Sequence, residues 1–279
     1  MLAVALALAA SSCWGVADFL GGLQSRRVAV PLVLCLVEGT GLTLVLIVIV
    51  ATGEPLPGLR AALLAVLAGI AGVIALGCFF RALAIGTMSI VAPISATGVT
   101  LPVVVGLATG DRLSTIVAVG IAVTVTGVVL ASRERHDDAE RAAIGRRSIV
   151  LALIAAVGFG SYFALSDSAA DDSVLWLLVL SRIVPVPTLA VIAWRRRMPV
   201  PPRSRTLTLM CAGTVDCTAT ALYALANTKG ALSIVSVVGS LYPVMTVVLA
   251  RTFLGERIRP VQQAGVAAAL AGVAMIAAG

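Results

Sequence analysis

The chain has 279 residues, of which 60% are hydrophobic and only 12% charged. A soluble domain carries about 25% charged residues, so there is too little charge here to cover a water-facing surface. That excludes a soluble globular enzyme, and the same apolarity excludes disorder. The formal net charge is +7, but the basic residues stand between apolar runs, which points to orientation in a membrane rather than to nucleic acid.

An apolar run of about 20 residues spans a hydrocarbon core of about 30 Å as a helix. Ten such runs predict helices at 2–21, 29–51, 60–80, 83–108, 113–131, 148–166, 173–194, 206–226, 231–253 and 259–278. They are too long, and alternate too little, to be strands of a membrane barrel. Residues 1–10 lack the basic flank of a signal peptide, and Trp14-Gly15 continues into apolar sequence, so the first run reads as a spanning helix. The breaks have causes: Gln24-Ser25-Arg26-Arg27 is polar, Glu54-Pro55-Leu56-Pro57-Gly58 is a Pro/Gly turn, and Gly86-Thr87 and Gly230 loosen short turns. Two long polar loops are expected, at 132–147 and 195–205. The five cysteines all fall in apolar runs without a CxxC pair and read as packing residues. The one histidine, His136, lies in the first polar loop, which removes haem, His-zinc sites and Ser-His dyads from the membrane interior. No cofactor and no metal are expected.

The chain repeats internally. At a shift of 145, Trp14-Gly15 falls on Phe159-Gly160, Gly110-Asp111-Arg112-Leu113 on Gly255-Glu256-Arg257-Ile258, Gly120 on Gly265 and Gly127 on Gly272. Ala82-Leu83-Ala84 matches Ala224-Leu225-Ala226 at 142, and Ser89-Ile90-Val91 matches Ser233-Ile234-Val235 at 144. The reading is an all-α polytopic membrane protein with ten transmembrane helices in two five-helix repeats, 2–131 and 148–278, joined by a charged loop at 132–147. An odd number of helices per unit makes the second enter from the opposite side, so the repeats are inverted. That architecture puts a site at the repeat interface near the midplane and suits alternating access. The loops after the first, third, fifth, seventh and ninth helices hold 16 of the 20 basic residues, so the positive-inside rule places both termini outside the cytoplasm.

The stretch Ala224-Leu225 … Pro243 … Leu254-Gly255-Glu256-Arg257-Ile258 … Gly265 … Gly272 resembles the closing half of an EamA-type repeat of the drug/metabolite transporter superfamily, and Trp14-Gly15 resembles the Trp-Gly of that family's first helix. The resemblance spans nearly the whole chain in two copies, the first degenerate, with Asp111 where the family usually has Glu. It implies a ten-helix secondary transporter of the cytoplasmic membrane, commonly an exporter of amino acids, other metabolites or drugs. It further implies a cavity lined by the first, third, fourth, sixth, eighth and ninth helices, with the fifth and tenth packing the halves together. It also implies cytoplasmic termini, against the arginine count, and an Arg near the position of Glu38.

Ionisable groups inside a membrane are costly and are functional candidates by default. Ser11, Trp14 and Asp18 share one face of the first helix, either as an aromatic wall and carboxylate of the cavity or as a hydrated helix end. Asp216 heads a polar stripe with Gly213, Thr220, Tyr223 and Asn227, which lines water or substrate unless it is satisfied between helices. Ser233, Ser236, Ser240 and Tyr242-Pro243 on the ninth helix, and Ser89, Pro93, Thr97 and Thr100 on the fourth, are polar or kinking positions of the same kind. Tyr162 of the sixth helix completes the candidate cavity set of Trp14, Asp18, Thr97, Tyr162, Asp216, Thr220, Tyr223, Asn227, Ser240 and Tyr242. Glu38 and Arg182 occupy near-equivalent repeat positions and form a candidate ion pair. Arg81 either attracts a carboxylate or snorkels. Glu256 is expected to meet the N-terminal dipole of the tenth helix.

The leading function is export of a small-molecule substrate, with a proton as candidate coupling ion on Asp18 or Asp216, because a carboxyl in a low-dielectric interior exchanges a proton readily. Uptake of sugars or other small solutes is the alternative, with a channel or scaffold as a further class. A membrane enzyme fits worst: Asp167, Asp171 and Asp172 form one acidic cluster, but Asp137-Asp138 falls on the other face. Membrane lipid is an expected partner, nucleic acid is not, and a monomer or homodimer both fit.

Overall fold

The computed structural model describes residues 1–101, 114–131, 139–170, 173–227, 229, 238–239 and 241–278, with backbone only at 99, 139–142, 167–168, 170, 224, 227 and 277. These residues form ten helices: α1 (Leu2–Ser25), α2 (Val30–Thr52), α3 (Leu59–Ile85), α4 (Met88–Ala96), α5 (Thr115–Ala131), α6 (Ala139–Ala170), α7 (Val174–Arg195), α8 (Arg203–Asn227), α9 (Tyr242–Leu254) and α10 (Pro260–Ala278). A 3-10 turn, Thr97–Val99, follows α4. By length and composition α1, α2, α3, the 143–166 part of α6, and α7 can each cross a membrane. Leu59, Leu63, Leu67, Ile70 and Ile74 are all exposed at helical spacing along α3. Such a stripe is stable against lipid and not against water.

The helix ends follow local chemistry. Pro31 starts α2, where its missing N–H costs nothing, and Gly53 at φ 65° closes it. Gly255, at φ 63°, closes α9 in the same way. The end of α7 differs. Arg197 takes the left-handed position at φ 46°, its N–H donating to the Trp194 carbonyl and that of Met198 to the Ala193 carbonyl, both at 3.0 Å.

Three boundaries depart from the sequence expectation. The helix expected from 148 begins at Ala139, because Ala, Glu and Arg are good helix formers and charge reports exposure to water rather than coil. The third helix, expected to end at 80, runs to Ile85 and stops at the expected Gly86-Thr87 turn, so Arg81 lies inside α3. The seventh helix is broken at Val184 into Val174–Ile183 and Pro185–Arg195. Pro185 cannot bond to the carbonyl of Ser181 and its ring displaces it. The freed Ser181 carbonyl faces Gly69 of α3, where a β-carbon would overlap it.

Helices from the two parts of the chain interleave. α1 packs on α8 and α9, α6 on α3 and α4, and α7 on α2 and α3. The most extensive pairing among the described residues besides α3 with α6 is α5 on α10. It is built on glycines: a β-carbon on Gly127 would overlap the Ala269 nitrogen, one on Gly265 the Ala131 nitrogen, and one on Gly272 the Thr124 side chain. Close backbone approach of this kind replaces hydrophobic driving force inside a bilayer. Gly265→Val should therefore destabilise the protein by about 1–3 kcal/mol or more through overpacking, seen as a lower thermal midpoint in detergent. Ala267→Val, on an exposed position of the same helix, should leave the midpoint unchanged.

Candidate functional site

Charged side chains from three helices meet inside the bundle. The break at Val184 ends the first half of α7 just after Arg182, whose Nη1 donates to the Leu178 carbonyl at 3.1 Å. Its Nε lies 2.9 Å from Glu38 Oε2 on α2, and its Nη2 lies 3.5 Å from Asp216 Oδ2 on α8. The Nε–H finds no aligned acceptor, so the Glu38 contact is one of charge rather than a formed hydrogen bond. Glu38 and Arg182 keep only 11% of their side chains accessible, whereas Asp216 keeps 27%. Gly41 makes room for the guanidinium, with a β-carbon there reaching within 3.3 Å of Nε.

Asp18 of α1 lies within electrostatic range of Asp216, and the Tyr242 hydroxyl within range of Asp18. Among the described residues no donor bonds the Asp18 carboxylate. Tyr162 on α6 stands over Gly72 of α3, its ring 3.0 Å from the place a β-carbon would take, and lies within electrostatic range of Arg182. Two carboxylates, Glu38 and Asp216, thus flank one arginine, and a third, Asp18, lies on the Asp216 side.

Trp14 and Gly15 divide two tasks. The Trp14 ring meets Tyr223 of α8 at 5.3 Å between centroids and 48° between planes. Gly15 lets α9 approach, since a β-carbon would come within 2.6 Å of the Tyr242 carbonyl oxygen and 2.5 Å of Met245, and the Gly15 carbonyl accepts from Thr246 Oγ1 at 3.2 Å. Asp18 stands one turn beyond Trp14, so the aromatic pair borders the carboxylates.

The other sequence candidates fare differently. Gly213 does not join an open stripe; it packs against the Val37 carbonyl of α2. Thr220 donates to the Asp216 carbonyl at 3.1 Å along its own helix. Thr97 donates to the Ile94 carbonyl at 2.7 Å, and no contact among the described residues ties it to the charged group. Ser233, Ser236 and Ser240, the Asn227 and Asp167 side chains, Asp111, and the acidic residues Asp137, Asp138, Asp171 and Asp172 lie outside the described residues. The Arg182–Asp216 contact was not anticipated from sequence.

Residues 146–278 match the EamA-like transporter family. Over those residues the chain is similar to EamA-type proteins of the drug/metabolite transporter superfamily. No curated protein sequence matches it. The match covers α7, α8 and α9, which supply Arg182, Asp216 and Tyr242, and it covers the Leu254-Gly255-Glu256 turn.

That turn reaches across the chain. Glu256 does not cap α10, as its place before that helix led us to expect. Its Oε1 accepts from the Met88 N–H at 3.0 Å and its Oε2 from the Ser89 N–H at 2.9 Å, so it caps α4. Arg26, between α1 and α2, lies 3.5 Å from the same carboxylate. The reason is geometric: Gly255 turns the chain, and the open first turn of α4 offers two free donors where the positive end of its dipole lies. At the other end of the bundle Ser173 donates to Glu54 Oε1, and Trp176 Nε1 donates to the Glu54 carbonyl at 3.3 Å.

Two outcomes follow for stability. Arg182→Ala leaves two buried carboxylates unpaired and should cost about 3–5 kcal/mol, whereas the Glu38→Gln/Arg182→Met double variant should recover part of that loss; thermal unfolding in detergent measures both. Glu256→Ala removes two charge-assisted bonds and should cost about 1–3 kcal/mol, with Glu256→Gln intermediate in the same assay.

Proposed function

We propose that this protein is a secondary active transporter that exports small metabolites bearing an amino group, amino acids among them, across the cytoplasmic membrane by alternating access. The observation that carries this reading is the charge balance of the central group. Arg182 balances Glu38 or Asp216 but not both, and Asp18 stands without a partner among the described residues. A site with more carboxylates than arginines favours a cation, and an aromatic border of Trp14 and Tyr223 adds attraction for an ammonium group. Asp18 and Asp216 are the groups we assign to proton exchange with substrate. The charged group assembles within one chain, which favours the monomer as working unit.

The inverted repeat is part of the proposal, and recurring contacts support it. At a shift of 144, Gly69 corresponds to Gly213 and Val37 to Ser181. Gly69 meets the Ser181 carbonyl, and Gly213 meets the Val37 carbonyl. Gly15 packs α1 on α9, and its counterpart Gly160 packs α6 on the Gly98 carbonyl after α4. On this relation Glu38 and Arg182 are counterparts facing one another, and Asp18 and Asp216 are the counterparts of Tyr162 and Gly72. The carboxylates thus lie on one side of the pseudo-axis, which gives the site a polarity that the backbone lacks. Opening to one side would release the Glu256 cap of α4; opening to the other would release Glu54 from Ser173. The arginine-rich loops place the Glu256 side in the cytoplasm and the termini outside.

Metabolite levels inside and outside cells carrying wild type, Asp216→Asn or Asp18→Asn test this reading. Amine-bearing solutes should leave cells with wild type, and each variant should lower that efflux at least about tenfold, the effect of losing about 1.4 kcal/mol of binding in the transported state. Solutes accumulating inside, or efflux confined to anions, would overturn direction or class respectively; unchanged flux in both variants would remove the carboxylates from the pathway.

A further inference from the structure

We propose that a groove between the start of α2 and the end of α7, remote from the charged group, binds one anionic glycerophospholipid, with its phosphate on Arg195 and Arg197 and an acyl chain along Leu32, Met198 and Val200. The groove has a volume of about 730 Å³ and is lined by Leu32, Ala193, Trp194, Arg195, Arg197, Met198 and Val200. Its lining therefore combines apolar side chains with two arginines and has no acidic residue. Trp194 is 78% exposed, and the chain turns from apolar to Arg195-Arg196-Arg197 directly after it. An exposed tryptophan followed by arginines marks the boundary between hydrocarbon and headgroups. α2 begins beside it, after its own polar stretch at 24–27. The groove thus lies where one molecule presents a phosphate and a hydrocarbon chain together. A free phosphate has no use for the apolar lining, and a zwitterionic lipid offers the arginines a compensated charge.

The backbone singles out Arg197. It sits at φ 46°, in the left-handed position that closes α7, while the equivalent closures of α2 and α9 use Gly53 and Gly255. Glycine meets that conformation without steric cost and arginine does not. The residue that stands there also lines the groove. Replacing it by glycine therefore separates the two roles: the helix end is relieved and the charge is lost.

The test uses the full-length protein in detergent, with dioleoylphosphatidylglycerol or dioleoylphosphatidylcholine added in mixed micelles. Thermal midpoints and native mass spectrometry read the binding. Phosphatidylglycerol should raise the midpoint and remain bound as one molecule, and phosphatidylcholine should do neither. Arg195→Ala and Arg197→Gly should each weaken phosphatidylglycerol binding about fivefold, the effect of one arginine at an anionic headgroup. Arg197→Gly without lipid should melt no lower than wild type, which removes misfolding as an explanation. Equal effects of the two lipids, no effect of either, full phosphatidylglycerol binding in both variants, or the same shift from sodium phosphate alone would each overturn the proposal.

Discussion

Charge in a low-dielectric interior is the constraint on which this structure turns. One arginine, Arg182, stands between Glu38 and Asp216, and each of the three comes from a different helix. A lone charge at such depth costs several kcal/mol even after relaxation, while unit charges about 4 Å apart at an effective dielectric of about 20 attract by about 4 kcal/mol. Neither Arg182 nor its acidic partners can thus be stable there without the others. The requirement ties α2, α7 and α8 together more specifically than apolar contact could, since lipid tails are as apolar as leucine. It also leaves an imbalance, because Arg182 is the single cation between the two carboxylates that it contacts.

Backbone features make that meeting possible. Pro185 breaks α7 one turn beyond Ser181 and frees its carbonyl, and Gly69 lets α3 close onto it. On α8, Gly213 admits α2 at the Val37 carbonyl, one residue before Glu38. The glycines that read as elements of a polar stripe or as family signature are thus spacers that set where the charges lie. The same economy holds in α1, where Trp14 contacts α8 and Gly15 admits α9.

The two ends of the bundle are held by carboxylates of another kind. Glu256 and Glu54 use neutral donors, backbone N–H groups in one case and a serine hydroxyl in the other, with Arg26 beside the first. Bonds of this sort are individually modest and can exchange with water at a surface. They differ from the Arg182 group in their donors and not in depth, since the Glu256 side chain is 12% accessible and those of Glu38 and Arg182 are 11%.

Much of this was open to a reader of the residues. Apolar runs, their lengths and the Pro/Gly breaks were enough for the helices, because hydrocarbon thickness sets run length and local dihedral preferences set the ends. Intramembrane Asp18, Glu38, Arg182 and Asp216 stood out because charge is rare there, and the shift near 145 set Glu38 and Arg182 as counterparts. The break at Pro185 escaped since an apolar run on both sides hides it, and the early start of α6 escaped since its residues are polar yet helix-forming. Which side chains touch was another matter. Arg182 meeting Asp216 as well as Glu38, Glu256 capping α4 instead of α10, and Gly213 serving as a packing surface all depend on which helices lie side by side. Local sequence determines a helix and the faces it offers; only the packing of distant helices decides which faces meet, because those contacts join residues up to 231 positions apart.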